Sequence, residues 1–205
     1  NYLTRPPKRS DVLSVFAGLR PLAAPRSEGK KTKEISRSHK LIREKSGLIT
    51  IIGGKWTTYR KMAQDTLDLA IRYMHIPTKD CITERYQIQG SRKNPDFSDP
   101  LYVYGTDADE IRNLVASSPA MAEKLHPDYA YTVGEVTWLV RNEMPRTLED
   151  VLARRLRILF LDARAAMAMA PKVAGILATE WGKDETWTSA QVKAFNEVAS
   201  NYILN

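Results

Sequence analysis

Two different hydrophobic patterns divide the chain. Apolar and β-branched residues form two short runs, 35–43 and 48–52, which are typical of β-strands. Residues 44–47 between them have turn composition, so the pattern predicts a β-hairpin. After the pair Gly53-Gly54 the apolar residues recur every three or four positions, which predicts an amphipathic helix that ends before Pro77.

The rest of the chain is predicted to be helical after a connector. Residues 77–106 carry prolines and turn residues, with one short strand predicted at 85–89. Beyond them, Thr132-x-x-Glu135 is a capping-box pattern, in which each side chain satisfies a backbone donor near a helix start. The helix that begins there is expected to end near Glu143.

Three further signals set helix boundaries in the last third. Thr147-x-x-Asp150 predicts a helix that runs through Leu161. Pro171 is expected to kink or restart the next helical segment, because proline lacks the backbone N–H that a helix interior needs. Ser189 is expected to cap the last helix.

These patterns predict an α+β fold in which a small β-rich piece is followed by an all-α domain. We place the domain boundaries at residues 1–76 for the β-rich piece and its helix, 77–106 for the connector and 107–205 for the helical domain.

The net charge of +7 is unevenly distributed. Residues 1–62 contain 15 Lys and Arg against 4 Asp and Glu, whereas residues 63–205 contain 16 against 20. The first part therefore carries +11 and the second −4. This asymmetry indicates two parts with different roles and an anionic partner for the first: a nucleic acid, a membrane surface or a small phosphorylated ligand.

The residues present argue against an internal disulfide, a membrane-spanning segment and a metal site. Cys81 is the one cysteine, which excludes an internal disulfide and makes a reducing compartment the default. No run approaches the roughly 18 apolar residues of a membrane span. His75 and His126 have no neighbours at metal-ligand spacing, so no metal site is expected.

The most specific feature is the segment 47–60, where a buried strand runs through two glycines directly into a helix. Glycines allow a sharp turn and a close approach of a ligand to the backbone. The N-terminus of the following helix attracts an anion, and Lys55 adds a full positive charge there. The spacing is not that of a Walker loop. On spacing alone, a plain strand–helix turn with a surface lysine explains the segment equally well.

The order and spacing of several segments resemble FAD-dependent glycerol-3-phosphate dehydrogenases. These segments are Gly-Leu-Arg-Pro-Leu at 18–22, Ile-Ser-Arg-Ser-His at 35–39, the strand–glycine–helix segment 47–60, and the helical run 141–155. The resemblance covers essentially the whole chain but only the C-terminal part of such an enzyme. It implies a fragment, because the family's N-terminal dinucleotide-binding half, with its G-x-G-x-x-G loop, is not in this sequence.

The resemblance implies roles for individual residues. Arg20, Arg37 and Lys55 match substrate-pocket positions of the family; Arg20 and Lys55 would also serve catalysis beside the flavin. The flavin contacts would come from six consecutive residues: Gly53, Gly54, Lys55, Trp56, Thr57 and Thr58. No general base is assigned. His39 is a possible contributor to that task, although an ordinary polar role is the more common one for such a residue.

The resemblance also implies the reaction and its partners. Family members oxidise sn-glycerol 3-phosphate to dihydroxyacetone phosphate; a hydride passes to FAD N5 and the electrons pass on to quinone. The expected partners are glycerol 3-phosphate, quinone, the N-terminal FAD domain and, as an option, a membrane surface. The expected location is cytoplasmic, with peripheral attachment to the cytoplasmic membrane as an option. The isolated fragment is expected to lack FAD and to be inactive.

Two alternatives stay open. The first is a glycerol-3-phosphate oxidase that passes its electrons to oxygen; the compact spacing in this region favours the dehydrogenase. The second, from another class, is a basic nucleic-acid-binding module joined to a helical interaction domain. It draws on the +11 charge of residues 1–62, but no recognised binding motif is present, so no nucleic acid is expected.

Overall fold

The computed structural model describes residues 4–19 and 38–204. Contacts divide the chain into two compact units: Gly18–Ile88, and a second unit made of Asn1–Ala17 and Gln89–Asn205. We call them the strand–helix unit and the helical unit. The predicted α+β class is confirmed, because a two-stranded sheet is followed by a larger set of helices. Residues 4–17 belong by their contacts to the helical unit rather than to the strands that follow them.

The strand–helix unit begins with the predicted hairpin. Strands β1 (His39–Arg43) and β2 (Ile49–Gly53) pair antiparallel. The turn between them contains Gly47, whose φ of +90° is a conformation that glycine adopts without a steric penalty. Residues 35–37 of the first predicted run lie outside the described part of the chain.

The predicted amphipathic helix follows the hairpin. A 3-10 turn, Trp56–Thr58, leads into helix α1, Tyr59–Met74, which ends at His75 in the left-handed conformation, two residues before Pro77. No residue from 38 to 88 is buried; each is partly or fully exposed. The described part of this unit therefore has no closed core of its own.

The described part of the helical unit contains six α-helices, together with 3-10 turns and one π-helical turn. Its elements are a 3-10 turn at Arg9–Asp11, a second at Tyr102–Asp107, α2 (Ala108–Ala116), α3 (Pro119–Ala122), α4 (Val133–Asn142), a π-helical turn at Asp150–Arg155, α5 (Ile158–Leu161), α6 (Ala163–Trp181) and α7 (Glu185–Ser200). None of the helices in residues 4–19 and 38–204 combines the length and the apolar character of a membrane span.

One hydrophobic core holds the helical unit together. Its apolar side chains come from α2, α4, α6, α7 and the turn before α5, and they bury the middle of each helix. Burial of this apolar surface is the main stabilising term for the unit. The largest of these fully buried residues include Ile111, Leu139, Met169, Leu177 and Phe195.

An N-terminal strap, which we define as residues 13–16, packs on the helical unit. The Val15 amide donates to the carbonyl of Tyr202 at 2.8 Å, and the Ser14 hydroxyl donates to the carbonyl of Leu159 at 2.7 Å. The rings of Phe16 and Phe160 meet edge to face at 5.1 Å. The segment that precedes the strand–helix unit is therefore fixed to the helices.

Helix starts agree with the sequence at one position and differ at another. The Thr132 side chain accepts the Glu135 amide at the start of α4, as the capping-box pattern predicts. The predicted cap at Ser189 is wrong, because α7 begins one turn earlier and Asp184 caps it by accepting the Trp187 amide at 2.8 Å. Aspartate is as good a cap as serine, so the earlier residue starts the helix.

Two predictions about helix continuity are also wrong. The start expected at Thr147 is confirmed, because its hydroxyl accepts the Asp150 amide at 3.1 Å, but the helix does not run through to Leu161. The π-helical turn ends at Arg155, and Arg157, whose φ is +60°, precedes a new short helix. Pro171 does not break α6. Pro171 has no N–H to donate to the Met167 carbonyl, but it lies on the exposed side of the helix, while buried neighbours such as Val173 hold the helix on the core.

The short strand predicted at residues 85–89 is not formed. Tyr86 and Ile88 are 68% and 64% exposed, and no other strand of the described chain pairs with this segment. A single extended segment leaves its backbone groups unpaired, so the apolar pattern alone does not make a strand.

The helical unit also buries one acidic side chain. Glu135 is 4% exposed, and its Oε1 accepts the hydroxyl of Tyr104 at 2.7 Å. Burial raises the pKa of Glu135 to about 7, although the Tyr104 hydroxyl and the Thr132 backbone act in the opposite direction. Burial and the neighbouring carboxylate raise the pKa of Tyr104 above its usual value, so it stays a donor.

This pKa predicts how stability depends on pH. The folded-state pKa of Glu135 lies above the ordinary value of 4.5, so protonated Glu135 favours the folded state. This contribution to the free energy of unfolding is fully present below pH 4.5 and is lost as the pH rises through 7. We expect Glu135→Gln to gain roughly 1–3 kcal/mol in free energy of unfolding over the wild type between pH 4.5 and pH 8. Urea unfolding followed by tryptophan fluorescence measures this difference.

The matched control is Glu197→Gln, which removes an exposed carboxylate from α7. Its stability relative to the wild type should not change over the same pH range. A Glu135→Gln curve that runs parallel to the wild type would contradict the raised pKa.

Candidate functional site

One continuous turn contains six of the predicted site residues. Strand β2 ends at Gly53, Gly54 and Lys55 follow, and Trp56–Thr58 form the 3-10 turn that leads into α1. Gly53 and Gly54 have φ values of +76° and +85°, in the left-handed region that residues with a side chain rarely occupy. The two glycines thus turn the chain from the strand into the helix within two residues.

Gly54 is also required by the space around it. A Cβ atom at this position would lie 2.6 Å from Sδ of Met62 and 3.2 Å from Cβ of His39. A side chain at this position would therefore require the Met62 side chain to move and His39 to give by a few tenths of an ångström. The backbone at Gly54 therefore packs directly against α1 and β1, which fixes the direction in which the turn faces.

The residues after the glycines present cationic and donor groups to solvent. Lys55 is exposed, and no carboxylate in the described chain lies within ion-pair distance of its ammonium group. The Thr58 hydroxyl donates to the Lys55 carbonyl at 2.9 Å, which holds the 3-10 turn closed. The first N–H groups of a helix have no acceptor within it and carry partial positive charge. The turn can therefore bind an anionic group.

Two aromatic rings flank the turn. Trp56 is 86% exposed and Tyr59 is 56% exposed, and their ring centroids are 5.7 Å apart. Large apolar rings exposed next to a cationic turn are typical of a binding surface. A planar ligand with an anionic edge would find an apolar surface and a positive group here.

A charged cluster that sequence reasoning missed joins β1 to α1 beside the glycine turn. Nε2 of His39 lies 2.9 Å from Oδ2 of Asp65, and Nζ of Lys61 lies 2.9 Å from Oδ1 of the same carboxylate. The Lys61 ammonium first, and then the His39 ring, hold the pKa of Asp65 below its usual range. His39 therefore ties β1 to α1. The Lys61–Asp65 spacing is visible in the sequence, but the histidine contact depends on the fold.

The other candidate residues lie elsewhere. Arg20 and Arg37 are outside the described residues, so their predicted roles stay predictions. Arg60, at the end of the segment 47–60, bonds to Gln64 at 2.9 Å and to Thr83 at 3.2 Å, which occupies its donors within the unit. Among residues 4–19 and 38–204, no group of three or more His, Cys, Asp or Glu side chains is placed to hold a metal ion.

The chain is similar to proteins from several distant organisms. It is 36% identical to the "Probable glycerol-3-phosphate dehydrogenase, mitochondrial" of Caenorhabditis elegans, over 96% of this chain and 29% of that protein. It is 32% identical to a mitochondrial glycerol-3-phosphate dehydrogenase of Arabidopsis thaliana, over 98% and 39%, and 31% identical to that of Mesocricetus auratus, over 96% and 29%. The chain spans about 29–39% of the length of these relatives.

A family profile gives the same result for the central part of the chain. The profile described as the C-terminal domain of alpha-glycerophosphate oxidase matches residues 48–188, which run from β2 into α7 and include the glycine turn. This match covers more than half of the chain. The chain therefore belongs to the family of the C-terminal domain of alpha-glycerophosphate oxidase.

Proposed function

We propose that the chain is the C-terminal part of a flavin-linked enzyme that oxidises sn-glycerol 3-phosphate to dihydroxyacetone phosphate. One observation carries the proposal: the turn at residues 53–58 exposes Lys55, which has no carboxylate partner within the described chain, and none of residues 38–88 around it is buried. A surface of this kind is expected for a binding site that further parts of a protein complete. Membership of the family and the names of the relatives support the same reaction.

In this proposal the substrate is held through its charge. A phosphate ester carries negative charge on several oxygens, and a guanidinium can bind two of them through parallel hydrogen bonds. Arg20 and Arg37 are assigned this task, with Lys55 as the third cation near the reacting end of the substrate. The exposed, unpaired state of the Lys55 ammonium supports this assignment, because a lysine committed to an ion pair would have less charge to offer.

The residues of the turn fit an FAD group. Lys55 is exposed at the start of the helix, and Trp56 and Tyr59 expose flat apolar surface beside it. When bound, the flavin would accept the hydride from the substrate. The chain's own contribution is electrostatic: the start of the helix and Lys55 favour negative charge in front of them.

The proton of the substrate hydroxyl has no assigned acceptor in the described chain. His39 is bonded to Asp65 and lies at the strand–helix junction, which supports a role in holding β1 against α1.

In the same proposal residues 1–76 contribute to the flavin and substrate domain, residues 77–106 form a connector and residues 107–205 form a helical C-terminal domain.

For the electron acceptor we propose a quinone. The names of the relatives, which are dehydrogenases, support this choice, whereas the family description names an oxidase and supports oxygen as the second candidate. A quinone-linked enzyme works at a membrane surface, so peripheral attachment to a membrane belongs to the proposal. The relatives are named as mitochondrial proteins, and for this chain the cytoplasmic location stays a prediction.

The role of Lys55 is tested in the complete enzyme that contains this chain. We expect Lys55→Gln to lower kcat/KM for glycerol 3-phosphate by about 10²- to 10³-fold, because a fixed charge at the reacting centre is lost. Dye reduction at saturating and limiting substrate gives both constants. The control is Lys45→Gln, which removes an exposed lysine from the hairpin turn. Equal effects of the two substitutions would refute the assignment.

The electron acceptor is tested by product analysis of the complete enzyme. During turnover in air we expect hydrogen peroxide to account for only a small part of the substrate oxidised, and a water-soluble quinone to raise the rate. Peroxide formed in equal amount to the oxidised substrate would instead establish the oxidase.

The isolated chain provides a further test. Purified alone, the 205-residue chain should show no flavin absorbance near 450 nm and no glycerol-3-phosphate-dependent dye reduction, because it supplies only part of the proposed site. Bound flavin together with dye reduction in this chain would overturn the incomplete-site proposal.

A further inference from the structure

A cavity in the helical unit combines two aromatic rings with two free cations. It has a volume of about 570 Å³ and lies where the turn after α4 meets the end of α6 and the start of α7. Its volume is in the range of small-molecule sites. None of its lining residues belongs to the turn at residues 53–58. Its lining includes Met144, Arg146, Trp181, Lys183 and Trp187.

The two cations of the cavity have no partners. No carboxylate in the described chain lies within ion-pair distance of the side chain of Arg146 or Lys183, and both residues are exposed. The nearby acids are already engaged. Glu180 accepts two hydrogen bonds from Arg141, both at 2.7 Å, and Asp184 caps α7. The positive charge at the cavity is therefore uncompensated.

The aromatic rings give the cavity a shape that favours a flat group. Trp181 and Trp187 are half-buried, and their rings meet at 79° with centroids 5.7 Å apart. The exposed parts of the two indoles offer apolar aromatic surface on which a planar ring can stack. Neither indole carries a stacked arginine or lysine in the described chain.

We infer that the tryptophan cavity binds a phosphorylated ligand with a planar ring, of the nucleotide class. The ring would stack on the indoles, while Arg146 and Lys183 bind the phosphate oxygens. A free phosphate would leave the aromatic surface unused, and an uncharged ring would leave the two cations without a partner. This site is independent of the proposed oxidation of glycerol 3-phosphate.

The test is titration calorimetry on the 205-residue chain without magnesium at physiological ionic strength. The probes are ATP, adenosine, which lacks the phosphates, and tripolyphosphate, which lacks the ring. We expect saturable 1:1 binding of ATP, with adenosine and tripolyphosphate each at least about tenfold weaker, because each loses one of the two kinds of contact.

Substitutions locate the site. Arg146→Gln and Lys183→Gln should each weaken ATP binding by roughly three- to tenfold, as expected for the loss of one charge-assisted contact. Trp187→Phe should weaken binding of ATP but not that of tripolyphosphate. The control, Arg164→Gln, removes an exposed arginine at the start of α6 that does not line the cavity, and it should change the affinity by less than about twofold.

Three results would overturn the inference. They are the absence of saturable ATP binding, tripolyphosphate binding as tightly as ATP, and an Arg164→Gln effect equal to that of the two cavity substitutions. Because Arg146 and Lys183 are exposed, their replacement should leave the fold intact, and circular dichroism of both variants checks this.

Discussion

The distribution of buried surface governs the rest of this structure. The helical unit encloses a continuous apolar core, whereas residues 38–88 contain no buried residue. A two-stranded hairpin and a single helix are marginal on their own in water, because they bury too little apolar surface to offset the entropy of ordering the chain. The exposure of residues 38–88 is therefore consistent with the proposal that further parts of a protein cover them.

Within that unit the pair Gly53-Gly54 sets the geometry. Both residues occupy the left-handed region, which disfavours a side chain at either position, and Gly54 packs closely against Met62 and His39. Lys55, which follows them, is exposed. Of the cations in residues 1–62 that the structure describes, Lys55 is the one that lies in this turn.

Local patterns in the sequence predicted the elements that depend on local interactions. The hairpin, α1 and the cap at Thr132 follow from hydrophobic period and capping chemistry, and the six turn residues were adjacent in the sequence from the start. Features set by tertiary packing could not be read in the same way. Pro171 remains inside α6 because its neighbours are buried, Asp184 rather than Ser189 starts α7, and the contact of His39 with α1 exists only once the hairpin is folded.

Amide hydrogen exchange of the 205-residue chain, compared with that of the complete enzyme, tests the central claim most directly. The account predicts that amides of β1, β2 and α1 exchange at least about a hundredfold faster in the isolated chain, while those of α4 and α6 are equally protected in both. Equal protection of the strand–helix unit in the two proteins would contradict the claim that this unit depends on further parts of the protein for its stability and for its site.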